Sequence, residues 1–196
     1  MKHRLILASR SPRRVELLRD AGFEFEIDPA DVDEENYPHS LAPHDIARLL
    51  AQRKAARVAD RQPDSIVLAA DTIVAAHGRL FGKAETPDDA RAMLRELAGH
   101  DQQVITGVAV VDHSRNIELI DHATSIVHMR PMSHDELESY IASDQWRGKA
   151  GAYGIQDVDP HSNSFVDPFV KIIDGDYSNV VGLPIDLVKR MLARVS

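Results

Sequence analysis

Apolar residues along the chain fall into two alternating patterns: short unbroken runs, and stretches where apolar positions recur every three or four residues. Arg4 to Ala8 reads as a buried strand, followed by a helix over Pro12 to Asp20 that Gly22 closes. Phe23 to Ile27 reads as a second strand, and residues 28–42, with their acids and prolines, as a loop. Pro43 to Asp60 carries Ile46, Ala47, Leu49 and Leu50 on one side and predicts a long amphipathic helix. Ser65 to Ala70 is a strand that Thr72 to Ala76 continues, and Thr86 to Leu97 is a helix ended by Gly99. Val104 to Asp112 and Glu118 to Met129 predict long neighbouring strands around a turn at residues 114–116. A helix over Ser133 to Ile141, strands at Ala152 to Ile155 and Phe169 to Ile173, and a final helix from Pro184 complete the reading. Alternating strands and helices with one hairpin-like pair predict an α/β fold around a mixed sheet, with residues 1–196 as one domain.

Composition narrows the class. No apolar stretch approaches a membrane span, and the run after Lys2, His3 and Arg4 is too short for a signal peptide. Cysteine is absent, which excludes disulfides, thiolate nucleophiles and cysteine-ligated metals. These features predict a cytoplasmic protein with no membrane partner. The net charge of −8 argues against a nucleic-acid binder, whose affinity rests on a basic surface.

One helix start departs from the others. "TPDDA" from Thr86 and "SHDE" from Ser133 place acids in the first turn, where the helix dipole favours negative charge. "SPRR" is built alike, with Ser11 as cap and Pro12 at the first position, yet it carries Arg13 and Arg14. The wrong sign costs roughly 0.3–1 kcal/mol per exposed charge. An anion at that point reverses the effect, because backbone N–H groups, the hydroxyls of Ser9 and Ser11 and two guanidiniums would converge on it. A triphosphate suits such a site; two solvated arginines are the alternative.

Other charged residues could join that site. Asp71, with Thr72, interrupts a buried apolar run in "VLAADTIV", where a carboxylate could hold a divalent metal or deprotonate a water. "DVDEE", residues 31–35, offers candidate Mg²⁺ ligands or a solvated surface. Lys54, Lys83 and Lys149 each have small neighbours that would let a phosphate approach. None fits a Walker A loop, and neither Ser9 nor Ser11 lies in a nucleophile elbow. The ten histidines show no metal-ligand spacing. "DGDYSN", residues 174–179, reads as a tight turn between strands.

Taken together, "LASRSPRRVELL", "AADTIV", "FGK", "TGVAV", "KAGAYGIQ" and "IDGDYSNVVGLP" resemble the Maf family of nucleoside triphosphate pyrophosphatases, in order and spacing over nearly the whole chain. The resemblance implies a fold like that of the inosine triphosphate pyrophosphatases, with a mixed twisted sheet, flanking helices and two lobes around a deep cleft. It implies hydrolysis of a nucleoside triphosphate to the monophosphate and pyrophosphate with a divalent cation, Mg²⁺ or Mn²⁺, and a homodimer. By motif, Asp71 is the catalytic acid–base or metal-binding residue. Ser9, Ser11, Arg13, Arg14, Lys54 and Lys83 form the phosphate cradle. Glu34, or Asp33 just before it, takes the acidic metal-binding position. Arg13, Thr72 and Gln156 resemble the subfamily acting on dTTP and UTP, and a glutamine amide complements a pyrimidine's carbonyl and ring N–H. The rival readings are a pyrophosphatase acting on 7-methyl-GTP or on a damaged or modified pyrimidine nucleotide, and a non-enzymatic nucleotide-binding regulator of cell division. Two departures stand out: Ala84 replaces the family's proline after Gly-Lys, and the segment 157–168 beside Gln156 is long and acidic.

Overall fold

The computed structural model describes residues 4–38, 40–155 and 167–195. In chain order the elements are β1 (Arg4–Leu7), α1 (Pro12–Asp20), β2 (Glu26–Ile27), α2 (Pro43–Ala59), β3 (Ser65–Ala76), β4 (Arg79–Phe81), α3 (Pro87–Leu97), β5 (Asp101–Asp112), β6 (Ile117–Met129), α4 (His134–Ala142), β7 (Val170–Asp174), α5 (Tyr177–Val181) and α6 (Ile185–Ala193). Among the described residues they build a seven-stranded mixed sheet in the order β2-β1-β3-β5-β6-β7, with β4 paired to β3. β1 runs parallel to β2 and β3, whereas the β3–β4 and β6–β7 pairs are antiparallel. The α/β class with a mixed sheet is as the sequence predicts.

Two expected elements change. "DGDYSN" leads from β7 through Gly175 into α5, so it joins a strand to a helix and not two strands. No strand forms over Ala152 to Ile155: Gly151 and Ala152 hold φ of 66° and 58°, outside extended space, and only Ala150 makes a bridge. β4 escaped the sequence reading, since three residues are too few for a period to show.

The chain divides into two compact units. The first comprises Met1–Thr72, Ile105–Ala123 and Ser178–Ser196, and the second Ile73–Val104 and Thr124–Tyr177, so β3, β5 and β6 contribute to both.

In the first unit the sheet is buried on both faces. Leu7, Ile66, Leu68, Ala70, Val108 and Val110 pack with Leu18 of α1 and Leu187, Val188 and Met191 of α6. The alternate residues Ile6, Val67, Ala69, Ala109 and Val111 pack with Ala51, Ala55, Val58 and Ala59 of α2. This is the strand period of two with both faces covered, which is why these strands read as unbroken apolar runs. α2 lies close because its facing residues are small. At Gly107 a Cβ would stand 2.2 Å from the Ala47 carbonyl oxygen, so only glycine fits there.

In the second unit, α3 and α4 begin in capping boxes, Thr86 with Asp89 and Ser133 with Glu136. Arg91 of α3 bridges to Glu138 of α4 through Nε and Nη2 at 2.7 and 2.8 Å. Trp146 is fully buried and donates its indole N–H to the Ile141 carbonyl at 3.2 Å. Among the described residues, no helix is long and apolar enough to cross a membrane.

Candidate active site

Strand periodicity dictates the centre of the site. In β3, Val67 and Ala69 face α2, so Asp71 does too; Leu68 and Ala70 face α1 and α6, so Thr72 does. Asp71 therefore sits within a continuous twelve-residue strand. On α2, Ala47, Ala51 and Ala55 mark the inward stripe, and Lys54 lies on its edge.

Lys54 Nζ meets two carboxylates. It pairs with Asp71 Oδ1, and with Glu34 Oε1 at 2.7 Å. The Lys54 and Asp71 side chains are each 8% exposed and that of Glu34 37%. Buried charges of this kind persist only when paired and hydrogen-bonded. Of the two acids that could fill the metal-binding position, Glu34 is the one whose side chain reaches Lys54. Asp33 Oδ1 instead accepts the backbone N–H groups of Glu35 and Asn36 at 2.9 and 3.3 Å, a local turn.

On the other face of β3 lies the arginine-bearing helix. Arg14 Nε donates to the Gly182 carbonyl at 2.7 Å and Nη2 to Thr72 Oγ1 at 2.9 Å. Its Nη1 reaches Ser9 Oγ at a long 3.5 Å. Burial pushes the Arg14 guanidinium below its ordinary value. Asp71 pushes it back up, the neighbouring Arg13 charge lowers it and Glu34 raises it. A guanidinium nonetheless stays protonated. These mutual influences place Arg13, Arg14, Asp71 and Glu34 in one electrostatic neighbourhood.

Ser11 occupies the N-cap position of α1, but its side chain makes no capping bond, in contrast with Thr86 and Ser133. The expected role of its hydroxyl as a cap is therefore corrected. α1 has neither a side-chain cap nor an acid in its first turn. Ser9 Oγ accepts the Ser11 backbone N–H at 3.2 Å, and its own proton is a further donor.

The remaining candidates belong to the second unit. Lys83 is exposed on a loop held by its bridge to Ala150 and by the Gly151 N–H bond to the Gly82 carbonyl at 3.0 Å. Those ties hold the loop where Ala84 replaces a proline. Lys149 is buried, its chain running so close to Gly154 that a Cβ there would sit 2.8 Å from Nζ. Gln156, with residues 157–166 of the acidic segment, lies outside the described residues. Near the end of that segment, Asp167 accepts the Tyr153 hydroxyl at 2.9 Å.

Two carboxylates already converging on one cationic nitrogen fit a divalent ion in charge and in oxygen chemistry. Among the described residues, no group of three or more His, Asp or Glu side chains could hold a metal. A cation held by these two carboxylates would need further oxygen ligands from outside the described side chains. Sequence reasoning missed Thr106 and Gly182. Thr106 Oγ1 lies 3.0 Å from Thr72 Oγ1, and a Cβ at Gly182 would meet Thr72 Oγ1 at 3.3 Å and Arg14 Nε at 3.5 Å. Their motifs, "TGVAV" and "SNVVGLP", were the available signal.

The chain is 44% identical over 190 residues to a dTTP/UTP pyrophosphatase of Moorella thermoacetica, covering 97% of this chain and 94% of that one. It is 45% identical over 183 residues to a dTTP/UTP pyrophosphatase of Alkaliphilus metalliredigens, covering 93% and 91%. A solved structure of a HAM1 protein from Coxiella burnetii superposes with a TM-score of 0.50 at 15% identity, over 98% of this chain and 99% of that one, and shows a shared fold. The family model of Maf-like proteins matches residues 4–195, and with relatives this similar over nearly their full length the chain belongs to the Maf family.

Proposed function

We propose that this protein is a nucleoside triphosphate pyrophosphatase of the cytoplasm, acting on dTTP and UTP and releasing the monophosphate and pyrophosphate. The observation that carries the proposal is the buried Asp71–Lys54 pair, with Arg14 bonded to Thr72, the next residue of the same strand. The names of the relatives supply the substrate class.

In this reading a water oxygen attacks the α-phosphorus, the bond from that phosphorus to the α–β bridging oxygen breaks, and pyrophosphate departs. Asp71 accepts the proton that the water loses. Arg13 and Arg14, the amides at the start of α1 and the Ser9 and Ser11 hydroxyls hold the phosphates. Lys54 exchanges its carboxylate partners for a phosphate oxygen when substrate binds, which frees the Asp71 carboxylate to accept a proton. The family resemblance assigns Lys83 and Lys149 to phosphate binding and Gln156 to the base. Bound between Asp71 and Glu34, Mg²⁺ or Mn²⁺ would neutralise charge that develops on the phosphate oxygens.

A panel of triphosphates with pyrophosphate detection tests the proposal. Release from dTTP and UTP, lost in Asp71→Asn while nucleotide binding survives, is the expected result. Turnover of 7-methyl-GTP alone would reassign the substrate, and tight binding without pyrophosphate release would make the protein a sensor. Substantial activity in Asp71→Asn would remove that residue from the chemistry.

A further inference from the structure

A chain of side-chain hydrogen bonds leads inward from Arg14, and its proton count fixes its direction. Thr106 Oγ1 donates to the Asn179 carbonyl at 3.1 Å. That carbonyl can only accept, and a hydroxyl has one proton to give. With that proton committed, Thr106 Oγ1 must accept from Thr72, 3.0 Å away. The Thr72 proton is then committed as well, and the Thr72 oxygen accepts from Arg14 Nη2 at 2.9 Å. The order is Arg14 to Thr72 to Thr106 to the Asn179 carbonyl, with every link donating inward.

Thr106 lies in β5, fully buried in a run of apolar residues from Val104 to Val111. A hydroxyl there is costly to bury unless both its donor and acceptor functions are met. The strand period puts it on the α1 and α6 face, in line with Val108 and Val110 and on the same side as Thr72. The Gly182 carbonyl fixes Arg14 Nε, and the relay fixes Nη2. Together they hold two corners of the guanidinium fork, and with the long Nη1 bond to Ser9 they leave one proton on Nη1 and one on Nη2 for a ligand.

We propose that Thr106 is a positioning residue for Arg14, acting through Thr72, and so sets the orientation in which Arg14 meets the substrate phosphates. The inference rests on Arg14 being a phosphate ligand, as proposed above. It also assigns Thr72 a defined part: with its proton turned inward, Thr72 can offer a nucleotide an acceptor and no donor.

The test uses the full chain and dTTP. The phosphates are held in ground and transition states alike, so a misaligned Arg14 raises KM more than it lowers kcat. Thr106→Val is expected to raise KM about ten-fold, the effect of losing the charge-assisted Arg14–Thr72 bond that Thr106 orients, with kcat within about two-fold. Thr106→Ser keeps the hydroxyl and is expected to restore KM. In an Arg14→Lys background, which lacks the fork, Thr106→Val is expected to add nothing to KM. A KM unchanged in Thr106→Val, no rescue by serine, or full additivity with Arg14→Lys would each overturn the proposal. Should the valine variant not fold, Thr106→Cys, a weak donor of similar size, replaces it and is read the same way. If the wild-type protein releases no pyrophosphate from any triphosphate, the functional reading itself has failed. The relay is then judged by the exchange rate of the Arg14 Nε proton in ¹⁵N NMR, which Thr106→Val should raise and Thr106→Ser should not.

Discussion

Replacing Lys54 by methionine removes the cation between Asp71 and Glu34 while keeping an unbranched chain in the buried stripe of α2. The cost follows from the geometry. Lys54 and Asp71 are each 8% exposed, so deleting one partner leaves an uncompensated carboxylate in the interior. Breaking such a pair costs about 3–5 kcal/mol. The Glu34 arm is 37% exposed and adds under about 1 kcal/mol after solvent screening. For a chain of this size a loss of about 3 kcal/mol lowers Tm by roughly 6–12 °C. The same deletion frees both carboxylates for a divalent ion. At a hundred-fold excess over its Kd, a ligand binding only the folded state stabilises by about 2.7 kcal/mol, which recovers most of the loss. The assay is thermal melting of wild type and Lys54→Met in chelator and in a Mn²⁺ series. A large Mn²⁺-dependent rise is expected in the variant and a smaller one in wild type, where the ammonium competes. If the metal-free variant melts with wild type, or Mn²⁺ raises both alike, the two carboxylates are not a shared cation site.

Other predictions follow from the same structure. Ser11→Ala should change folding stability by less than about 0.5 kcal/mol, because its hydroxyl makes no capping bond, whereas Ser133→Ala should cost about 1 kcal/mol in urea unfolding. Equal costs would mean that Ser11 is a working cap. Gly107→Ala drives a Cβ to within 2.2 Å of the Ala47 carbonyl, and both partners are backbone; a loss of about 1–3 kcal/mol or more is expected from denaturation midpoints. Stability at the wild-type level would show that α2 is not seated as described. Burial, reinforced by the stacked His44 ring and Arg48 and opposed by Asp121 and Asp45, lowers the pKa of His122 below 6.5. The unfolded chain then binds the proton first, so His122 contributes stability above about pH 6.5 that is lost as pH falls through its folded value. His122→Gln should flatten the fall in urea midpoint below that pH, and an unchanged slope would contradict this account.

Much of the site was legible one residue at a time. The oddity of "SPRR" was visible because two neighbouring helix starts supplied the comparison, and Asp71 because a carboxylate interrupts an otherwise apolar run. What the sequence concealed is pairing. Arg14 bonds to a carbonyl 168 positions away, at Gly182, and no local pattern reports such a partner. Thr106 was hidden because one threonine among valines and isoleucines looks like ordinary strand filler. The strand expected near Ala152 failed for a different reason: Gly151 takes a positive φ and carries Ala152 with it, and alanine gives no warning of that. Asp33 and Glu34 differ in reach: the shorter side chain turns back onto its own backbone, and the longer one pairs with Lys54.

The alternation of β3 has a cost for sequence change that neither of its polar residues reveals alone. Asp71 and Thr72 are adjacent, yet one serves the α2 side and the other the α1 side. Deleting a single codon between Val67 and Ala70 would exchange their destinations, bringing the hydroxyl to the lysine and the carboxylate to the relay. Both halves of the machinery would be lost in one step, and no compensating point substitution elsewhere could return them. Within this segment, amino acids can be traded one for another, but its length cannot drift.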